Sequence, residues 1–454
     1  MPSVDETIEG MIVSPDGSRV YAGGWGSYRF SPVEYRASGF VAVLDGLTGA
    51  PIWRVDLGRQ GASNWIYGIV VSGDRIYTTG TRAAGDPTGL QDVRAWNAST
   101  GVLLWTRDFA PAPDGVPWGA VRNGKDILVS SDGRRLFIVG DEYGYGNHIF
   151  YASLDAETGS TLWETDLQAD IGGRSVHSAL TASGDAILGA IEIIRQGTLY
   201  QAVSVDADSG AIRWLASFPP GSEVGDFGDI LVAPRGDVVH FAGGGHSGPT
   251  PPLGARIVTI EAATGLVLAS RFYGRDILAQ TLTQTGSMGS PQGLHHVTDA
   301  AISPDGSTLY LIGGDDGLRC DCEIPAAMAV SAASGEILWM TRWGSDSDPV
   351  GSARSLSVAQ SGAIAITTEG AGAVGVTRFE PLTGTPLFTT FLTSLRAVAL
   401  EHVAQTHDGS AIFVGAILVL PADPSGAAIA RVESVRGIGG WSLETRTPSI
   451  PPLP

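Results

Sequence analysis

An all-β fold, built from eight copies of one four-stranded antiparallel unit, is predicted by three features of the sequence. The stretch "VSPDGSRVYAGG" (Val13–Gly24) returns as "ISPDGSTLYLIGG" (Ile302–Gly314) and, in degraded form, six more times. A second motif follows each copy, as in "AVLDGLTGAPIW", "RAWNASTGVLLW" and "ASLDAETGSTLW". Glycine supplies 62 of the 454 residues, about twice its usual share, which fits many tight turns.

Each first motif is a β run, a Ser/Pro/Asp/Gly turn and a second β run, which is hairpin grammar. Each second motif enters a turn centred on Thr-Gly or Ser-Gly and leaves as another β run. Four residues past that turn glycine stands an aromatic in seven copies: Trp53, Trp105, Trp163, Trp214, Trp339, Phe388 and Trp441. The fifth copy has Ala269 instead. One four-stranded sheet cannot bury both faces alone, whereas sheets stacked around an axis can. The prediction is therefore a single eight-bladed β-propeller over 1–446, with the aromatics packing between sheets. The expected blades are 4–58, 64–110, 117–168, 173–218, 225–273, 294–343, 353–392 and 397–445. Residues 447–454 ("TPSIPPLP") form a proline-rich tail.

The two motifs also carry a resemblance. "SPDGSRVYAGG" resembles the YVTN type of propeller repeat. "LDGLTGAPIW" and its copies resemble the pyrroloquinoline-quinone-type (PQQ-like) repeat, with its acidic residue, Thr-Gly and Trp. The resemblance spans nearly the whole chain and implies a propeller. It implies no single activity, because such repeats serve dehydrogenases and assembly factors alike. In the quinoprotein dehydrogenases the cofactor lies between a tryptophan floor and a disulfide of two neighbouring cysteines, beside calcium. Here Cys320 and Cys322 are separated by one residue, and CxxCH is absent. No Asn/Asp/Glu trio matches the calcium pattern, so PQQ is not expected as a cofactor.

Bulk composition excludes several function classes. The formal charge is −19, from 28 basic and 47 acidic residues. Such a surface repels phosphate backbones and anionic lipid, so neither nucleic acid nor membrane insertion is expected. No apolar run reaches membrane-span length. Lys125 is the only lysine, a bias that fits a GC-rich bacterial genome. "MPSVDETIEG" is no signal peptide; it could equally start a chain whose leader has been removed. A secreted or cell-envelope location in a bacterium is the expectation. Two cysteines make neither a disulfide framework nor a zinc pattern. No P-loop, GxSxG or HExxH is present.

The turns within the two motifs are uniformly short and share one face. The connections on the opposite face vary widely and include 273–293. Long loops on a rigid scaffold are where function concentrates, so that face is the expected functional one. Aligned on the first turn, the innermost strands place Gly10, Gly68, Asp126, His177, Asp229, Asp299, Ser355 and His402 at one level, expected near the decorated end of the channel. This row supports three readings. It could be a hydrated structural channel. It could be a divalent-cation site with His177, Asp229, Asp299 and His402 as ligands. It could hold an acid–base pair of His177 and His402 beside orienting carboxylates. Asp141 and Glu192 could complete such a site. Trp25, Trp65, Trp118 and Tyr143 lie on decorated-face connections and could stack on a sugar or planar ligand.

The leading expectation is a platform that binds a small molecule, glycan or protein through the long-loop face. A metal-assisted lyase, isomerase or hydrolase at the channel mouth is the alternative, and a quinone-dependent oxidoreductase the second.

Overall fold

The computed structural model describes residues 3–31, 34–57, 63–83, 89–109, 121–143, 148–167, 173–193, 199–218, 227–244, 254–274, 294, 296–316, 323–343, 352–370, 373–391, 397–420 and 423–433. Among them every regular element is a strand, and no helix is long and apolar enough to cross a membrane.

The strands form meanders in which each pairs antiparallel with the next in sequence. The first strands of successive sheets contact one another in a closed series. They are Ser3–Val13, Ser63–Ser72, Val121–Val129, Gly173–Leu180, Phe227–Val232, His296–Ile302, Ser352–Val358 and Ala397–Gln405, and the last touches the first. These are the inner strands of a propeller.

The expected count of eight four-stranded blades is corrected. The protein has seven blades of four strands. Between the seventh and the first stands a sheet with three strands among the described residues: Ala397–Gln405, Ala411–Leu420 and Asp423–Glu433. The outer strand expected around Trp441 lies outside the described residues. The last repeat also departs from the chemistry that makes the outer turn. In the first blade Asp45 Oδ1 accepts from Thr48 N and Thr48 Oγ1 at 2.7 and 2.8 Å. Asn97 with Thr100, Asp155 with Thr158 and Asp206 with Ser209 repeat this bond pair. The last copy reads "ESVRG", with Arg436 where the hydroxyl stands.

The inner turns are built in the same way. Asp16 Oδ1 accepts from Ser14 Oγ and Ser18 N, and Gly17 takes φ 69° at the bend. These donors hold the Asp16 carboxyl down at about 2, and those of Asp305 and Asp408 likewise.

The core sits between blades. One cluster joins Tyr77, Val93 and Ala95 of the second blade to Ile127, Leu136 and Phe150 of the third. The repeated tryptophans close five of the junctions from outside. Trp53 Nε1 donates to the Ala98 carbonyl at 3.0 Å, and Trp105 to Ala156 at 3.2 Å. Trp163 donates to Ala207 at 3.0 Å, Trp214 to Ala262 at 2.9 Å and Trp339 to Pro381 at 2.8 Å. In each case the acceptor lies three residues before the next blade's outer-turn glycine, and the indole lies flat on that glycine. A Cβ on Gly210 would fall 2.6 Å from the Trp163 ring, and φ is +72° there, so position 210 requires glycine twice over.

Trp214→Ala removes a 9 % exposed ring and its hydrogen bond. It is expected to cost roughly 3–5 kcal/mol, read as a lowered denaturation midpoint. Gly210→Ala is expected to destabilise as well, by about 1 kcal/mol or more; an unchanged midpoint in either variant would refute the tryptophan-on-glycine account.

Candidate functional site

Every inner strand has a β-bulge at the same level. The register against the second strand slips between Ile8 and Gly10, Ile66 and Gly68, Gly124 and Asp126, and Ser175 and His177. It slips again between Phe227 and Asp229, Val297 and Asp299, Ala353 and Ser355, and Leu400 and His402. The row read from the sequence is thus the row immediately after the bulge. The glycines that end the first motif make the bulge possible. A Cβ on Gly24, Gly80 or Gly313 would lie about 2 Å from the carbonyl oxygen of Thr7, Trp65 or His296. The row lies mid-strand, three residues before the strand's last residue in seven of the eight copies, rather than at the decorated end.

Most side chains of the row reach into the next unit of the ring. Asp126 Oδ2 accepts from Ser178 Oγ at 2.6 Å, and Oδ1 from Ile127 N at 2.8 Å. Asp299 Oδ2 accepts from Leu356 N at 2.8 Å, and Oδ1 from Ala300 N at 2.8 Å. Ser355 Oγ accepts from Val403 N at 3.2 Å. His402 hydrogen-bonds the backbone of Ile8 and Glu9, which closes the ring onto the first strand. Where the row has Gly10 and Gly68, Ile69 and Ile127 of the following blade pack into the space. His177 faces Asp126, whose carboxylate it attracts. Asp229 accepts from Ile230 N at 2.7 Å within its own strand.

This placement shifts ionisation. Desolvation raises the Asp126 carboxyl above the ordinary range. Desolvation and then the Asp126 charge push Asp229 up to about 7. Desolvation and then the Asp229 charge push Asp299 up to about 8, against the amides of Leu356 and Ala300. Burial lowers His402, opposed by its backbone acceptors. Among the described residues no three of His, Cys, Asp and Glu gather closely enough to hold a metal ion.

A second group lies on the bulge residues, one step closer to the decorated end. Glu9, Tyr67 and Lys125 are the extra residues of three adjacent inner strands. Trp25 Nε1 donates to Glu9 Oε1 at 2.8 Å. Lys125 Nζ lies 3.8 Å from Asp141 Oδ2 and 5.9 Å from the Tyr67 ring centroid. Burial raises the Glu9 carboxyl, although Trp25 and Lys125 favour its charge. Burial, with Glu9 and Asp141 nearby, pushes the Tyr67 hydroxyl up to about 12. Two expected residues, Trp25 and Asp141, therefore meet here. Glu9, Tyr67 and Lys125 were missed, although each directly precedes a row position and Lys125 is the sole lysine. Trp65 is a half-buried strand residue in the second blade. Glu192 and Tyr143 belong to described strands. Trp118, Cys320 and Cys322 lie outside the described residues.

The two sets of shifted carboxyls act in opposite directions on stability. The turn aspartates, held down, contribute stability that is present above pH about 4 and lost as pH falls through about 2. Asp229 and Asp299, held up, keep protons in the folded state that the unfolded chain releases. Their contribution is full below pH about 4 and is lost as pH rises through about 7 to 8. Stability is thus expected to peak at about pH 4 to 5. In the Asp229→Asn/Asp299→Asn variant the fall in melting temperature from pH 5 to pH 8 is expected to shrink by a few degrees. An identical fall in wild type and variant would show that neither carboxyl is protonated in the folded protein.

Residues 37–297, more than half of the chain, match the family model described as outer membrane protein assembly factor BamB. Solved structures share the fold at low identity. A quinohemoprotein alcohol dehydrogenase from Pseudomonas putida matches at 14% identity and TM-score 0.56, over 98% of this chain and 76% of that one. Its counterpart from Comamonas testosteroni matches at 12% and 0.58, over 98% and 78%. Sqt1 from Chaetomium thermophilum matches at 14% and 0.55, over 93% and 96%. No curated protein matches the chain in sequence. With its blades, outer-turn motif and interblade tryptophans, the chain belongs to the PQQ-like β-propeller repeat family, that of the outer membrane protein assembly factor BamB.

Proposed function

We propose that this propeller is a binding platform for a protein partner in the bacterial cell envelope, engaged at the long-loop end of its axis. The observation that carries the reading is the division of labour on the inner strands. The polar row is occupied in holding neighbouring units together. One step nearer the long loops, Trp25, Glu9, Tyr67, Lys125 and Asp141 gather from the first three blades. Aromatic surface beside a mixed but net acidic set of charges suits a partner segment with basic and apolar side chains. The overall charge of −19 favours the same kind of partner. The description of the matching family, an assembly factor of outer membrane proteins, supports both a protein partner and an envelope setting.

A second reading has one observation in its favour. Asp229 and Asp299, pushed up to about 7 and 8, could exchange protons near neutral pH. It places the chemistry at mid-channel and keeps the metal-assisted enzyme as the alternative.

In envelope extracts of the source organism, a defined partner is expected to cross-link to wild type. Its yield is expected to fall at least fivefold with Lys125→Ala/Trp25→Phe, while the melting temperature stays within a few degrees. Equal cross-linking by both proteins would overturn the docking site. Stoichiometric bound metal, lost in His177→Ala and His402→Ala, would move the function to the channel.

A further inference from the structure

The junction between the fifth and sixth blades lacks its tryptophan. Across each blade the seat is built from three cross-strand neighbours. They are Tyr77, Ala95 and Trp105 in the second blade, and Phe137, Ser153 and Trp163 in the third. In the sixth they are Tyr310, Ala329 and Trp339. The ring on the second strand stands against the tryptophan, with centroids 6.0 Å apart for Tyr77–Trp105, 6.4 Å for Phe137–Trp163 and 6.0 Å for Tyr310–Trp339. In the fifth blade the same three positions are His240, Thr259 and Ala269. An imidazole replaces the first ring, and a methyl group replaces the indole.

Arg271 refills only part of the space. A pocket of about 310 Å³ remains, lined by Ala269, His240, Thr259, Arg271, Tyr273 and Ala332 among others. Ala332 holds the position whose counterparts, Ala98 to Pro381, accept the indole N–H elsewhere. The junction is held by a substitute tie. Thr165 and Thr341 donate to the turn-glycine carbonyl in other blades, at 2.6 and 2.7 Å. Here the Tyr273 hydroxyl donates to the Gly335 carbonyl at 2.9 Å. Two polar groups face the pocket. His240 is 1 % exposed, its Nδ1 lies 3.0 Å from Thr259 Oγ1, and its Nε2 has no hydrogen-bond partner among the described residues. The Arg271 guanidinium lies over Gly335, where the missing ring would lie, and bonds the Tyr273 hydroxyl.

We propose that the pocket left beside Arg271 in this altered tryptophan seat is a binding site for a planar aromatic acid of indole size. The ring would lie between Ala269 and Ala332, over the buried His240. A ring N–H would reach the Ala332 carbonyl, and the carboxylate would pair with Arg271. A pocket of this volume, mostly apolar with a few convergent polar groups, has the ordinary make-up of a small-ligand site. It lies at the short-turn end of the molecule, away from the group around Lys125, so it stands or falls independently of the partner-binding reading.

Calorimetric titration with indole-3-acetate, and with neutral indole as control, tests the site. Wild type is expected to bind indole-3-acetate with a Kd of roughly 0.1–1 mM, and indole at least fivefold more weakly. Ala269→Trp, which puts an indole into the pocket, is expected to abolish binding. Arg271→Gln is expected to erase the preference for the acid while leaving the ring bound. Should Ala269→Trp not fold, Ala269→Leu is expected to weaken binding at least fivefold. No binding by wild type, or equal binding by wild type and the filled variants, would overturn the site. Equal affinity for indole and indole-3-acetate would overturn the role of Arg271.

Discussion

An indole lying on the next blade's turn glycine is the contact on which the rest of this molecule depends. A four-stranded sheet has two faces and cannot exclude water from both. The protein solves this between repeats, with clusters that each draw on two neighbouring blades. Where it is present, the tryptophan sets the spacing at the outer end of the junction, because its ring requires a glycine beneath it and its N–H requires a carbonyl three residues earlier. The repeated Thr-Gly and the repeated Trp are therefore two halves of one contact, contributed by different blades.

The inner end of each junction is held by other means. One row residue follows each bulge, and at Asp126, Asp299, Ser355 and His402 its side chain bonds the neighbouring unit across the gap. Polar residues at this level replace hydrogen bonds that a continuous sheet would have made. The arrangement has an electrostatic cost, since Asp126, Asp229 and Asp299 are brought close enough to raise one another's affinity for protons. The cost is lowest at mildly acidic pH, where Asp229 and Asp299 are neutral and the turn aspartates are still charged.

A repeat protein reveals its function where the repeat fails. Three departures matter here. The last copy lacks the turn hydroxyl, and its sheet has three strands among the described residues. The bulge residues of the first three blades are Glu9, Tyr67 and Lys125, chemically unlike one another, and they gather with Trp25 and Asp141. The fifth blade carries Ala269 in the tryptophan seat and leaves a pocket.

The all-β propeller, its two turn types and the interblade role of Trp53 through Trp339 were legible in the sequence, because each rests on local turn chemistry repeated at a regular interval. That the polar row shares one level was legible too, since alignment on one turn carries register three residues along a strand, but not that this level is mid-strand. The blade count was not, because a copy that preserves the aromatic at Trp441 but loses the hydroxyl at position 436 still looks like a repeat. Nor could alignment say what the row does. Whether Asp299 faces a metal, a substrate or the Leu356 amide depends on the neighbouring blade, 57 residues away in the chain. Glu9, Tyr67 and Lys125 form one group only because bulges add a residue to three strands that the ring then sets side by side. The substitution at Ala269 could be read from sequence alone. That it left a pocket, with His240 and Arg271 on its walls, was decided by how two blades pack.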